Sequence, residues 1–262
     1  MKFLVDWCKR RFQSEAKKAP ELSKAYQAII VELTPIVAQF PAELKQRLFD
    51  RVAEFIATKR FEGCNGFVLD DDVILTISTQ ACILILGHDG PVYPKLKTLL
   101  VYPTTFSSVQ QVYDNGILSE KQVHRLGESW GSGTVILAWD SVKKGGFNFE
   151  DGMNVALHEF AHQLDQADGQ TDGAPRLFSR EAYRSWAKVL GDEFTKLNEA
   201  IERRRHTLID GYGASEPAEF FAVVTEIFFE KPEALSRKHP ELFQEFLAYY
   251  RVDPRTWELV SG

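Results

Sequence analysis

The chain has little of what would staple or anchor it. Three cysteines stand among 262 residues, at Cys8, Cys64 and Cys82. Their odd number and the lack of C-x-x-C spacing argue against a disulfide framework and against a cysteine metal site. No segment offers the ~20 apolar residues that a membrane-spanning helix requires. Residues 1–7 have too short an apolar run for a secretory signal, so a cytoplasmic location is expected. Positive charge is also short: 31 Lys and Arg against 37 Asp and Glu leave a formal net charge of −6. That balance gives no electrostatic footprint for nucleic acid.

Internal repeats, low-complexity stretches and long linkers are absent too. The hydrophobic fraction of 44% and charged fraction of 26% are ordinary globular values, and the length suffices for a sizeable core. Residues 21–262 are expected to form a single unit. Residues 1–20, polar and basic through Lys9, Arg10, Arg11, Lys17 and Lys18, are expected to be a flexible arm.

What is present is the stretch His158-Glu159-Phe160-Ala161-His162. On an α-helix, residues four apart share a face, one turn above the other. Two neutral imidazoles there can bind one metal ion. Glu159, about 100° round the helix, can reach a metal-bound water as general base. Asp151-Gly152 before the pattern and Gly169 after it read as start and stop signals. Leu157, Phe160, Ala161 and Leu164 form an apolar stripe, while His158, His162 and Asp165 project elsewhere.

A catalytic zinc site commonly has three protein ligands and a water. The longer pattern H-E-x-x-H-x-x-G-x-x-H fails, because Asp165 and Asp168 stand where Gly and His belong. Methionine occurs only as Met1 and Met153, so no Met-turn follows the motif and metzincins are excluded. His206 and His239 lie in charged surroundings that favour solvent. The better third ligand is a glutamate on a second helix at 216–230, with Ser215 as N-cap and Pro217 in its first turn. On this apolar helix Glu219, Glu226 and Glu230 share one stripe with Val223. An unpaired charge there is costly to bury, and a metal ion would give Glu219 a partner. Glu226, two turns further and about 10.5 Å along the axis, is too far for the same ion but able to orient a ligand histidine.

Residues 152–165 and 210–222, with Gln80-Ala81-Cys82, Val101-Tyr102-Pro103 and Gly127-Glu128-Ser129-Trp130, resemble the bacterial Mlc titration factor A family. The resemblance runs from about residue 22 to residue 254. Those proteins are zinc-dependent peptidases related to the metalloprotease domain of anthrax lethal factor. The resemblance implies that His158, His162 and Glu219 bind one zinc ion and that Glu159 is the catalytic glutamate. It further implies that Tyr212 stabilises the oxyanion. One departure stands out: some enterobacterial members carry a further metal-associated histidine where this chain has Ser119, and His124 is five residues out of register. The fourth zinc position is therefore expected to hold water.

Helices are expected near 21–33, 41–58, 179–205, 216–230 and 232–250, with strands at 96–102 and 134–139; periodicity cannot choose helix or strand for the buried apolar run at 73–86, though its length favours helix. This order fits an α+β zincin-like metallopeptidase fold, mainly helical, with a small sheet beside the active-site helix. The strand at 134–139 is expected to form the upper edge of the cleft and to pair with an extended substrate, although a strand enclosed by neighbours reads almost as well.

Two functional classes follow. One is a zinc metallopeptidase acting on peptides or proteins. The family's preference for amino termini rests on the resemblance alone, since no G-A-M-E-N motif occurs. The other is a non-catalytic regulatory protein that sequesters an Mlc-like glucose repressor, its zinc being structural.

Overall fold

The structure, a computed structural model, describes residues 21–114, 117–125, 127–130 and 133–257, with side chains outside 106–132. The expected arm at 1–20 lies outside the described residues. Two helices come first, α1 (Lys24–Leu33) and α2 (Ala42–Thr58), then strand β1 (Arg60–Gly63). The apolar run that periodicity left between helix and strand is a helix, α3 (Asp71–Ile83), with every residue from 73 to 83 buried. Its start is chemical: the Asp70 carboxylate accepts the Val73 N–H at 3.0 Å, and Asp71 and Asp72 place negative charge on the first turn, where the helix dipole favours it. The buried Gln80 amide donates to the Val142 carbonyl at 3.0 Å, satisfying a polar group inside the core.

Strands β2 (Thr98–Tyr102), β5 (Gly127–Trp130) and β6 (Thr134–Ala138) join β1 in one sheet, of order β1-β2-β6-β5. β2 runs parallel to β1 and to β6, with Thr98 opposite Arg60 and Thr134. β5 is antiparallel to β6, pairing Gly127 with Leu137. β3 (Phe106–Asp114) and β4 (Ile117–Arg125) form a separate hairpin. The expected edge at 134–139 is therefore corrected: β6 is enclosed by β2 and β5, and β5 is the outer strand. Val135, Ile136, Leu137 and Ala138 are all buried, and such an unbroken apolar run suits a strand covered on both faces. Trp139 opens the short helix α4 (Trp139–Phe147) rather than ending the strand. Ser119 and His124 lie on β4, and their side chains fall outside the described residues.

The C-terminal half is helical: α5 (Val155–Asp165), α6 (Arg180–Glu202), α7 (Pro217–Glu230), α8 (Pro232–Lys238) and α9 (Pro240–Tyr250). The expected single helix at 232–250 is two. Pro240 lacks an N–H and disfavours a helical residue before it, and His239 accordingly has φ −135° and ψ 64°. Among the described residues no helix is long and apolar enough to cross a membrane.

One buried apolar cluster runs from Leu22 to Trp257. At its centre α7 presents Phe228, fully buried, to Phe229, Phe243, Phe246 and Tyr250, with ring centroids 5.1–5.9 Å apart. This contact fixes how α7 lies against α9. Phe228→Ala should cost about 3–5 kcal/mol of unfolding free energy, measured by urea denaturation of the metal-free protein. A loss below about 1 kcal/mol would show that the cluster does not hold α7.

Candidate metal centre

The site is built where α5 meets α7. Asn154 is the N-cap of α5: its side-chain oxygen accepts the Leu157 N–H at 3.0 Å, and its amide donates to the Gly145 and Glu230 oxygens at 3.1 Å each. Gly152, at φ 75°, turns the chain in a conformation that glycine adopts readily. Glu230 then accepts the N–H groups of Gly152 and Met153 at 2.8 and 3.2 Å. Glu226 accepts the Asn154 N–H. Two carboxylates of α7 thus grip the backbone N–H groups at the entrance of α5, where the helix dipole favours negative charge. The start signal read at Asp151 is corrected by three residues. Asp151 accepts the Met153 N–H at 2.9 Å and the Asn148 amide at 2.8 Å instead.

One turn into α5, the His158 ring bridges the two-turn gap along α7. Its Nδ1 lies 2.8 Å from a Glu226 oxygen and its Nε2 2.9 Å from a Glu219 oxygen. His162 Nε2 lies 3.2 Å from His158 Nε2 and 3.5 Å from the same Glu219 oxygen. Three donor atoms therefore form a triangle with edges of 2.9, 3.2 and 3.5 Å. Bonds of roughly 2.0–2.2 Å to a tetrahedral ion imply edges of about 3.3–3.6 Å, so the triangle lies within a few tenths of an ångström of the size such an ion requires. His158, His162 and Glu219 are the group of His, Cys, Asp or Glu side chains among the described residues that could hold a metal ion.

Residues 5–251 match the family of the glucose-regulated metallo-peptidase M90. The chain belongs to that family. It is 42% identical to the Synechocystis protein slr2042 over 231 residues, 87% of this chain and 84% of that one. It is 30% identical to Mlc titration factor A of Enterobacter sp. (strain 638) and of Salmonella gallinarum, in each case over 84% of this chain and 83% of the relative. Membership of the M90 family implies a metal ion, and the helix-borne triangle offers the donors for it.

The remaining residues singled out from the M90 sequence fall as follows. Glu159 is buried on α5, and its charge acts on His158. Tyr212 sits on a 3₁₀ turn, Gly211–Ala214, whose Asp210 cap accepts the Tyr212 N–H at 2.8 Å. Its ring centroid is 5.9 Å from that of His158, and the residue is 57% exposed. Asp165 turns away from the imidazole cluster to accept the Gly173 N–H at 3.1 Å. His206 is exposed. His239 does not face solvent as expected; its Nδ1 lies 2.6 Å from Glu193. Asn154 and Glu230 as supports were missed. Asn154 carried a legible signal, being an N-cap residue type three positions before Leu157.

The carboxylates around His158 favour the protonated form of its ring. Burial alone lowers the His158 pKa; the bonds to Glu219 and Glu226, and the charges of Glu226 and Glu159, overcome it and raise it to about 10. Burial raises the pKa of Glu219, and the His158 and His162 bonds outweigh that, leaving it well below the usual carboxylate range. A metal ion must displace the imidazole proton. Between pH 7 and 8, Zn²⁺ binding should release about one proton per chain, read by calorimetric titration in buffers of differing ionisation enthalpy. In the same titration Glu219→Ala should lose tight binding and Asp165→Ala should keep it. Binding without proton release, or the opposite behaviour of the two variants, would overturn this assignment.

Proposed function

We propose that this M90-family chain is a zinc-dependent metallopeptidase, working in the cytoplasm as one catalytic unit over residues 21–262. The observation that carries the reading is the triangle of His158, His162 and Glu219 beside the buried Glu159. Two imidazoles and one carboxylate are a common donor set for catalytic zinc. Bound there, zinc would lower the pKa of a water and polarise a peptide carbonyl.

The chain's own residues divide the remaining work. Glu226 would accept a hydrogen bond from the His158 Nδ1–H, 2.8 Å away, which orients the ring and leaves Nε2, once deprotonated, to hold the metal. Glu159 is the general base: it takes a proton from the attacking water and passes it to the leaving amine. Burial keeps that carboxylate out of bulk solvent, where proton transfer would compete with water. Tyr212, on the open side of His158, donates its phenolic hydrogen to the oxygen that gains charge as the carbonyl is attacked. An extended substrate would lie along β5, the outer strand, which packs against α5 and offers backbone N–H and C=O groups on its free side.

A second reading rests on the relatives named Mlc titration factor A: the chain binds an Mlc-like transcriptional repressor. The two readings are compatible, and Glu159 separates them. Glu159→Gln should keep about one zinc per chain and any repressor binding, while peptidase turnover falls by about 10²–10⁴. Undiminished turnover in that zinc-loaded variant would remove Glu159 from the mechanism. No turnover of any peptide-library member by the zinc-loaded wild type would leave only the binding role.

Tyr212 is tested by its kinetic signature. A donor acting only in the transition state changes kcat and leaves KM nearly unchanged. Tyr212→Phe keeps the ring and should lower kcat by about 10²–10³. A change of about threefold, against that expectation, would return the tyrosine to a packing role.

A further inference from the structure

The far side of α5 holds a cavity of about 480 Å³, within the usual range for small-molecule sites. Gln163 and Leu164 line it from α5. At about 100° per residue they project nearly opposite His158 and His162, so the cavity is separate from the metal centre. Its floor is apolar, with Leu96, Leu164 and Tyr249 all buried.

Its rim is cationic. Arg51, Lys95, Arg176 and Arg251 line it against one carboxylate, Asp89, in a chain of formal net charge −6. Arg51 is committed to the Gly90 and His88 carbonyls, at 2.6 and 2.7 Å, and is paired with Glu54 at 3.4 Å, so it holds the 88–90 loop and leaves anion binding to its neighbours. Lys95 donates to the Gln166 carbonyl at 3.1 Å. Arg251 lies 3.8 Å over the Phe178 ring and 3.9 Å from Asp89. Arg176 is exposed and makes no hydrogen bond or ion pair among the described residues. Phe178, 61% exposed, adds an aromatic face to the same rim.

Like charges in a concave wall focus a positive potential, and a guanidinium fork matches a carboxylate or phosphate. We propose that this cavity binds a small organic anion, its carboxylate or phosphate held by Arg176 and Arg251 and its apolar body lying on Tyr249 and Leu164. Such a ligand would touch the metal-bearing helix from behind without entering the metal centre. The site stands on its own residues and does not require peptidase activity.

Calorimetric titration of the zinc-loaded, full-length protein with phenyl phosphate, benzoate and inorganic phosphate tests this. Phenyl phosphate or benzoate should bind saturably at one site per chain, and the tighter of the two identifies the anionic group. Either should exceed inorganic phosphate by at least about tenfold, from burial of the ring. Arg176→Glu should weaken that binding by about 10- to 100-fold, and Phe178→Ala should weaken it too. Both residues are exposed, so zinc content and thermal unfolding should stay as in wild type. Three outcomes overturn the proposal: no saturable binding of either organic anion, inorganic phosphate binding as tightly, or undiminished binding in both variants. The last would place the anion elsewhere, including on the metal ion.

Discussion

The Glu226 carboxylate is the joint on which the centre depends. One oxygen takes the Asn154 N–H at the mouth of α5, and the other holds His158 Nδ1 at 2.8 Å. A single side chain of α7 thereby sets where α5 begins and which nitrogen of its first histidine faces the neighbouring glutamate. Burying that carboxylate would be costly without these donors, and they are available only when the two helices are docked in this register. Helix packing and site chemistry are consequently one constraint.

The surrounding core keeps the joint rigid. α7 is pinned on its apolar flank by the aromatic contacts of Phe228 and by Trp186 against Phe221, 5.8 Å apart. α5 is backed by Phe160, whose ring lies 5.8 Å from Phe55 and 5.4 Å from Tyr93. With both helices held by large buried side chains, the donor atoms of the triangle are set by packing before any ion arrives. Such preorganisation keeps a ligand set near its working geometry. It also brings negative charge close to His158, which favours the protonated form of that ring.

α5 thus serves two surfaces. Its front carries the imidazoles and faces the side where Tyr212 is open to solvent. Its back carries Gln163 and Leu164 into the cationic cavity. The eleven residues of this helix include no glycine or proline, the usual sites of a kink. A ligand behind α5 would have the candidate metal-binding face as its nearest neighbour through the helix.

Much of the centre was written in local sequence. Four-residue spacing places His158 and His162 together on any helix, and a carboxylate in the apolar helix at 216–230 singled out Glu219 because charge without a partner does not bury. Membership of the M90 family was legible in the same segments. Pro240 also carried its own signal for a helix break, which the longer periodic pattern masked. Other features depend on which surfaces meet, and periodicity carries no record of that. The Glu230 grip on Gly152 and Met153 and the place of β6 inside the sheet with β5 outside it both came from docking between distant segments. Sequence by itself singled out the candidate donors, because helical spacing is local and an unpaired carboxylate is costly in an apolar helix. Only the tertiary structure decided their triangle, because it is closed by contacts between residues about sixty positions apart, such as His158 and Glu219.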